Sequence, residues 1–119
     1  MQADPTAPIR VDIMGNGFLD VLKARDISVG GLGIWVPHGF AECDLASEVD
    51  LIVTLGRARP FKARAVIRHY SKTENDRVFG VEFRDLAPEQ TVAVESYIQS
   101  TLRRRSRAGM RAVGAPARN

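Results

Sequence analysis

Residues 23–36, KARDISVGGLGIWV, constrain the chain more than any other stretch: an extended segment runs into a glycine corner and leaves as a second extended segment. Asp26 and Ser28 stand two residues apart, so in a strand both short polar side chains emerge on the same side. Gly30 and Gly31 follow, and glycine both tolerates positive φ and lets another backbone or a flat ligand come close. A carboxylate, a hydroxyl and bare amides then converge on one small spot, which suits an anion or the edge of a base. The same residues also suit a tight corner in which Asp26 and Ser28 hydrogen-bond only the local backbone.

The flanking sequence is written in period two. Ile9, Val11 and Ile13 alternate with Arg10 and Asp12, and Gly15-Asn16-Gly17 supplies an Asn-Gly hairpin signal directly afterwards. A second strand is expected from near Phe18 to Ile27, with imperfect alternation, and a third through Leu32, Ile34 and Val36. Residues 37–47 carry no period and read as a loop. Val49, Leu51, Val53 and Leu55 then line one face of the cleanest strand in the chain. Phe61, Ala63, Ala65 and Ile67 predict a long fifth strand with a basic outer edge, and His69 continues its inward register. A sixth strand, residues 77–83, turns Phe79, Val81 and Phe83 inward.

After Asp85 the period changes to nearly four. Pro88 suits a first helical turn, and Val94, Ile98 and Leu102 recur every fourth residue, which predicts an amphipathic helix with Glu89 and Arg103–Arg105 complementing its dipole. Residues 1–8 read as a flexible lead-in, 9–105 as the folded domain, and 106–119 as a basic tail, a frayed helix end or disordered segment. Six antiparallel strands followed by one helix favour a small, mainly β domain, a barrel or sandwich capped by the helix.

With 119 residues, 45% of them hydrophobic and 26% charged, the chain suits one globular domain with a modest core. Six of its 17 basic residues and none of its 14 acidic ones lie in residues 103–119, so residues 1–102 carry 11 basic against 14 acidic groups, a net charge of −3. That distribution argues against DNA or RNA binding over the domain surface, which requires basic groups arrayed along a backbone. No apolar run approaches the roughly 20 residues that span a bilayer, and residues 1–10 lack the basic and apolar regions of a signal peptide, so a cytoplasmic location is expected. The single cysteine, Cys43, forms no internal disulfide, and with His38 and His69 it lacks the spacing of a zinc site. No nucleophile-elbow pattern surrounds Ser28 and neither histidine has a sequence-implied partner, so no catalysis and no cofactor are expected. Trp35 alternates with core residues and reads either as an outward interface anchor or as partly buried.

In this order the chain resembles the PilZ domain, the bacterial receptor module for the second messenger cyclic di-GMP, over about residues 9–104. The segment DISVGG matches the family's DxSxxG signature at Asp26, Ser28 and Gly31, between the second and third strands, and GVEFRDLAPEQ, residues 80–90, resembles the family's last strand running into its helix. The resemblance implies a six-stranded antiparallel PilZ-type β-barrel with a C-terminal α-helix, cyclic di-GMP as ligand and a protein partner as target. It implies that Asp26 and Ser28 contact the ligand while Gly30 and Gly31 let it lie close to the backbone.

The family's RxxxR motif, whose arginines meet phosphates and guanine edges, has no match here: its two arginines fall at or near Gln2 and Thr6. Two readings follow. A divergent receptor recruits Arg10, Lys23, Arg25 or the basic tail in their place, with Arg10 also suited to a plain outward pairing with Asp12. Alternatively, a PilZ-like adaptor works through protein contacts without the nucleotide.

Overall fold

The computed structural model describes residues 1–15, 18–37, 45–74 and 76–114. The Asn16-Gly17 signal, His38, Cys43, most of the 37–47 loop and residues 115–119 of the tail lie outside the described residues.

Alternation sets the strands: β1 (Ile9–Gly15), β2 (Phe18–Ser28), β3 (Gly31–Trp35), β4 (Glu48–Leu55), β5 (Phe61–Lys72) and β6 (Arg77–Arg84). All pair antiparallel, and the order β1-β2-β3-β6-β5-β4 closes into a barrel. Closure pairs the edges that an open sheet would expose. Inward residues fill the interior: Ile9, Val11, Ile13, Ile34, Leu51, Val53 and Ile67 are fully buried. Each such side chain contributes about 1.5–3 kcal/mol relative to exposure.

At Asp85, whose φ of 54° lies in the left-handed region, the chain leaves β6 for the helix α1 (Pro88–Gly114). Gln90 caps its start, accepting from the Ala87 N–H at 3.0 Å while its Nε2 donates to the Lys62 carbonyl at 2.8 Å. Helical backbone continues to Gly114, past the expected boundary at Arg105. Val94 and Thr101 are fully buried and Tyr97 nearly so, whereas Leu102 is 45% exposed. Of the stripe expected through 94, 98 and 102, Val94 is buried and Ile98 packs against the core, while Leu102 is corrected: Tyr97 and Thr101 complete the buried face. Steps of four advance about 40° beyond each full turn, so Leu102 drifts off the buried face while Thr101 returns to it.

Residues 1–8 do not hang free of the barrel. β2 outruns β1, whose pairing with it stops at Arg10↔Lys23, and the lead-in occupies the vacated edge. Ala3 N–H donates to the Arg25 carbonyl at 2.8 Å, Ile27 N–H to the Met1 carbonyl at 2.7 Å, and Gln2 bridges Asp26. The helix clasps the same segment from outside. Tyr97 Oη accepts from the Asp4 N–H at 2.9 Å and donates to the Ala7 carbonyl at 2.6 Å; Arg104 pairs with the Asp4 carboxylate, and Arg105 donates to the Gln2 carbonyl at 2.7 Å.

Candidate functional site

Each wall of the site begins at a β-bulge. In β2 the register shifts between Ala24 and Asp26, so Arg25 is the extra residue, and Asp26 and Ser28 emerge together on the outer surface. In β5 it shifts between Ile67 and His69, with Arg68 as the extra residue. This corrects the inward register expected of His69: the bulge changes the phase, and Arg68 and His69 are both exposed.

Between the bulges the register makes a single row across four strands, Asp26–Gly33–Gly80–His69. The two glycines form its floor. A Cβ on Gly33 would lie 2.5 Å from Asp26 Oδ1, and one on Gly80 would lie 3.2 Å from His69 Cβ and 3.3 Å from Cδ2, so both flanking side chains lean over backbone that carries no side chain. Beside it runs a second row, Ser28–Gly31–Glu82. Gly31 is needed for close approach, because a Cβ there would lie 1.9 Å from the Val81 carbonyl oxygen. Among the described residues Gly56 is the glycine with positive φ, so at Gly30 and Gly31 the tolerance of glycine for that region is not used.

An open cleft of about 360 Å³ lies here. Asp26, Ser28, Gly30 and Gly31 line one side, Arg68, His69 and Glu82 the other, and Met1 of the lead-in borders it. Asp26 Oδ2 accepts from Arg25 Nε at 2.7 Å, and Ser28 Oγ accepts from the Gly30 N–H at 3.2 Å, the local turn contact that the sequence left open. Opposite them, Arg68 Nε and Nη2 donate to Glu82 Oε1 at 3.1 and 3.0 Å. Each wall thus carries a bulge arginine paired with a carboxylate.

Four of the six residues anticipated from sequence, Asp26, Ser28, Gly30 and Gly31, come together. Arg25 reaches the rim through Asp26. Arg10 does not reach it: on β1, opposite Thr54 and Lys23, it donates from Nε to Asp12 Oδ1 at 2.8 Å, a pairing that raises its pKa. Arg68, His69 and Glu82 were not anticipated. The signal for them was the apolar run Ala65-Val66-Ile67, all three buried, which breaks the two-residue period where a bulge enters. Trp35, 40% exposed opposite Lys23, is not among the residues lining the cleft.

The chain belongs to the PilZ domain family, whose family model matches residues 4–100. Solved structures share the fold. YcgR from Escherichia coli in complex with c-di-GMP is 20% identical with a TM-score of 0.76, over 95% of this chain and 48% of that one. The PilZ domain of YcgR with c-di-GMP is 17% identical with a TM-score of 0.74, over 91% and 92%. The Bacillus subtilis inhibitor of motility, MotI/DgrA, is 20% identical with a TM-score of 0.68, over 86% and 48%. The chain spans about half the length of the first and last of these. No curated protein sequence matches it significantly. Among the described residues no helix is long and apolar enough to cross a membrane.

Proposed function

We propose that this PilZ domain is a signalling adaptor that binds cyclic di-GMP weakly in the cleft beside Asp26 and Ser28 and regulates a protein partner. The observation that carries the reading is the convergence of Asp26, Ser28, Gly30 and Gly31 on one cleft bordered by the lead-in. Cyclic di-GMP is present in the two YcgR structures that share this fold, and MotI/DgrA is by name an inhibitor of motility, which supports a ligand-responsive adaptor. In this reading Asp26 accepts from guanine N–H groups, the Ser28 hydroxyl meets a phosphate or base edge, and the bare backbone at Gly30 and Gly31 admits a flat ring. Arg25 contributes from the rim. The output is a change in the lead-in, which pairs with Asp26 through Gln2 and so shares its edge with the ligand.

Weak binding follows from the residues at the arginine positions. Gln2 and Thr6 supply no cation, and each missing charge-assisted contact is worth about 1.5–3 kcal/mol. A second reading, a protein-interaction module that ignores the nucleotide, is favoured by the same two residues and by a lead-in that the helix holds through Tyr97 and Arg105.

Calorimetric titration separates the two. Heat on adding cyclic di-GMP, diminished in Asp26→Ala and Ser28→Ala, supports the receptor. No response at high micromolar ligand overturns it in favour of the interaction module.

A further inference from the structure

Helix α1 outlasts the core it packs against. Among the described residues Val94, Tyr97 and Thr101 are its buried positions, and every residue from Leu102 to Ser106 is exposed, yet helical backbone continues to Gly114. At 1.5 Å per residue, residues 102–114 add about 20 Å of helix beyond Thr101. This stretch, LRRRSRAGMRAVG, holds five arginines, and the sequence has no acidic residue after Glu95. The positive charge is thus concentrated at the far end of the helix, whereas residues 1–102 are net negative, at −3.

The arginines are not spread evenly round the helix. At about 100° per residue, the sequence periodicity puts Leu102, Met110 and Val113 within one arc of about 80°, and Arg103, Arg104, Arg107 and Arg111 within another of about 100°. Leu102, an apolar residue 45% exposed, opens the first arc. Arg104 and Arg105 are engaged by the lead-in, at Asp4 and the Gln2 carbonyl, while Arg103 reaches only Ser100 Oγ, at 3.5 Å.

An acid-free, arginine-rich helix with an apolar stripe matches an anionic bilayer surface: guanidinium groups meet lipid phosphates while the apolar stripe enters the headgroup boundary. A soluble polyanion would use the arginines and leave Leu102 in water. Residues 102–114 are too few and too charged to cross a bilayer, so such a helix lies along the surface.

We propose that residues 102–114 of α1 are a peripheral membrane contact that docks on anionic lipid. The inference is independent of the nucleotide reading of the cleft.

The test is co-sedimentation of the full chain with vesicles of phosphatidylcholine alone and of phosphatidylcholine with about one-third phosphatidylglycerol. The triple variant Arg103→Gln/Arg107→Gln/Arg111→Gln leaves the Arg104 and Arg105 contacts in place, and Leu102→Gln removes the exposed apolar residue; thermal denaturation verifies that both variants fold. The expected result is binding to the anionic vesicles alone, falling with added salt, about a hundredfold weaker in the triple variant and about tenfold weaker in Leu102→Gln. Absence of binding to anionic vesicles, equal binding to both vesicle types, or unchanged binding by either variant overturns the inference. Tighter binding to soluble polyglutamate than to anionic vesicles also overturns it, and assigns the arginines to an acidic protein partner.

Discussion

The Tyr97 hydroxyl accepts the Asp4 N–H at 2.9 Å and donates to the Ala7 carbonyl at 2.6 Å, so one side chain of the helix closes both ends of the turn in the lead-in. Its ring belongs to the core, 7% exposed, which ties the position of the lead-in to the packing of the barrel.

Replacing that hydroxyl separates the two roles. Tyr97→Phe keeps the ring and loses both hydrogen bonds, and a stability loss of about 1–2 kcal/mol is expected in chemical denaturation. Amide exchange at Asp4 should accelerate more than exchange in the barrel strands.

The lead-in also carries a pH-dependent contact. Asp4 is held at about 2, below the ordinary 3.8, chiefly by hydrogen bonds from the Thr6 hydroxyl and backbone N–H, then by Arg104. The folded state therefore favours the carboxylate. Its contribution is complete above the unfolded value and fades as pH falls from about 4 toward 2. Thermal melts of the unmodified protein and Asp4→Asn should differ by a constant gap above about pH 4 and converge toward pH 2.

Neighbouring glycines at the site should respond very differently to alanine. Gly31→Ala drives a Cβ into the Val81 carbonyl oxygen, at 1.9 Å, and separates β3 from β6; a loss of about 3 kcal/mol is expected. The Cβ of Gly30→Ala meets only Ser28 Oγ at 3.7 Å, and a change within about 0.5 kcal/mol is expected from the same denaturation measurement.

On the helix, Thr101 is fully buried and its Oγ1 has no hydrogen-bond partner among the described residues. Thr101→Val removes that cost with little change of shape and should stabilise the protein by about 1 kcal/mol. Leu102→Ala, one residue further on and exposed, should shift stability by less than about 0.5 kcal/mol. A large loss at Leu102 with no gain at Thr101 would contradict the corrected helix face.

Restoring cations to the lead-in tests the motif placement. Gln2→Arg with Thr6→Arg should strengthen cyclic di-GMP binding by about ten- to a hundredfold per productive contact in calorimetry. Unchanged affinity would mean that these positions do not meet the ligand.

Legibility in the sequence follows the range of the forces involved. Val49, Leu51, Val53 and Leu55 announce their strand because burial on one face needs nothing beyond the local period. Pro88, Glu89 and the change to a near-fourfold repeat announce the helix for the same reason. The outward turn of His69 is not legible locally because a bulge is defined by pairing: until β6 places Gly80 opposite His69, nothing local counts Arg68 as the extra residue. Residues 1–8 looked like a loose lead-in because their partners, Arg25, Tyr97 and Arg104, are distant in sequence.

By itself, then, the sequence determines the six strands, the helix, the PilZ family and the convergence of Asp26, Ser28 and Gly31, all carried by short-range period and spacing. Only the tertiary structure decides the opposite wall of Arg68, His69 and Glu82, the docking of the lead-in and the buried face of the helix. Barrel closure sets which strands meet and in what register, and a one-residue slip in register moves a side chain from core to solvent.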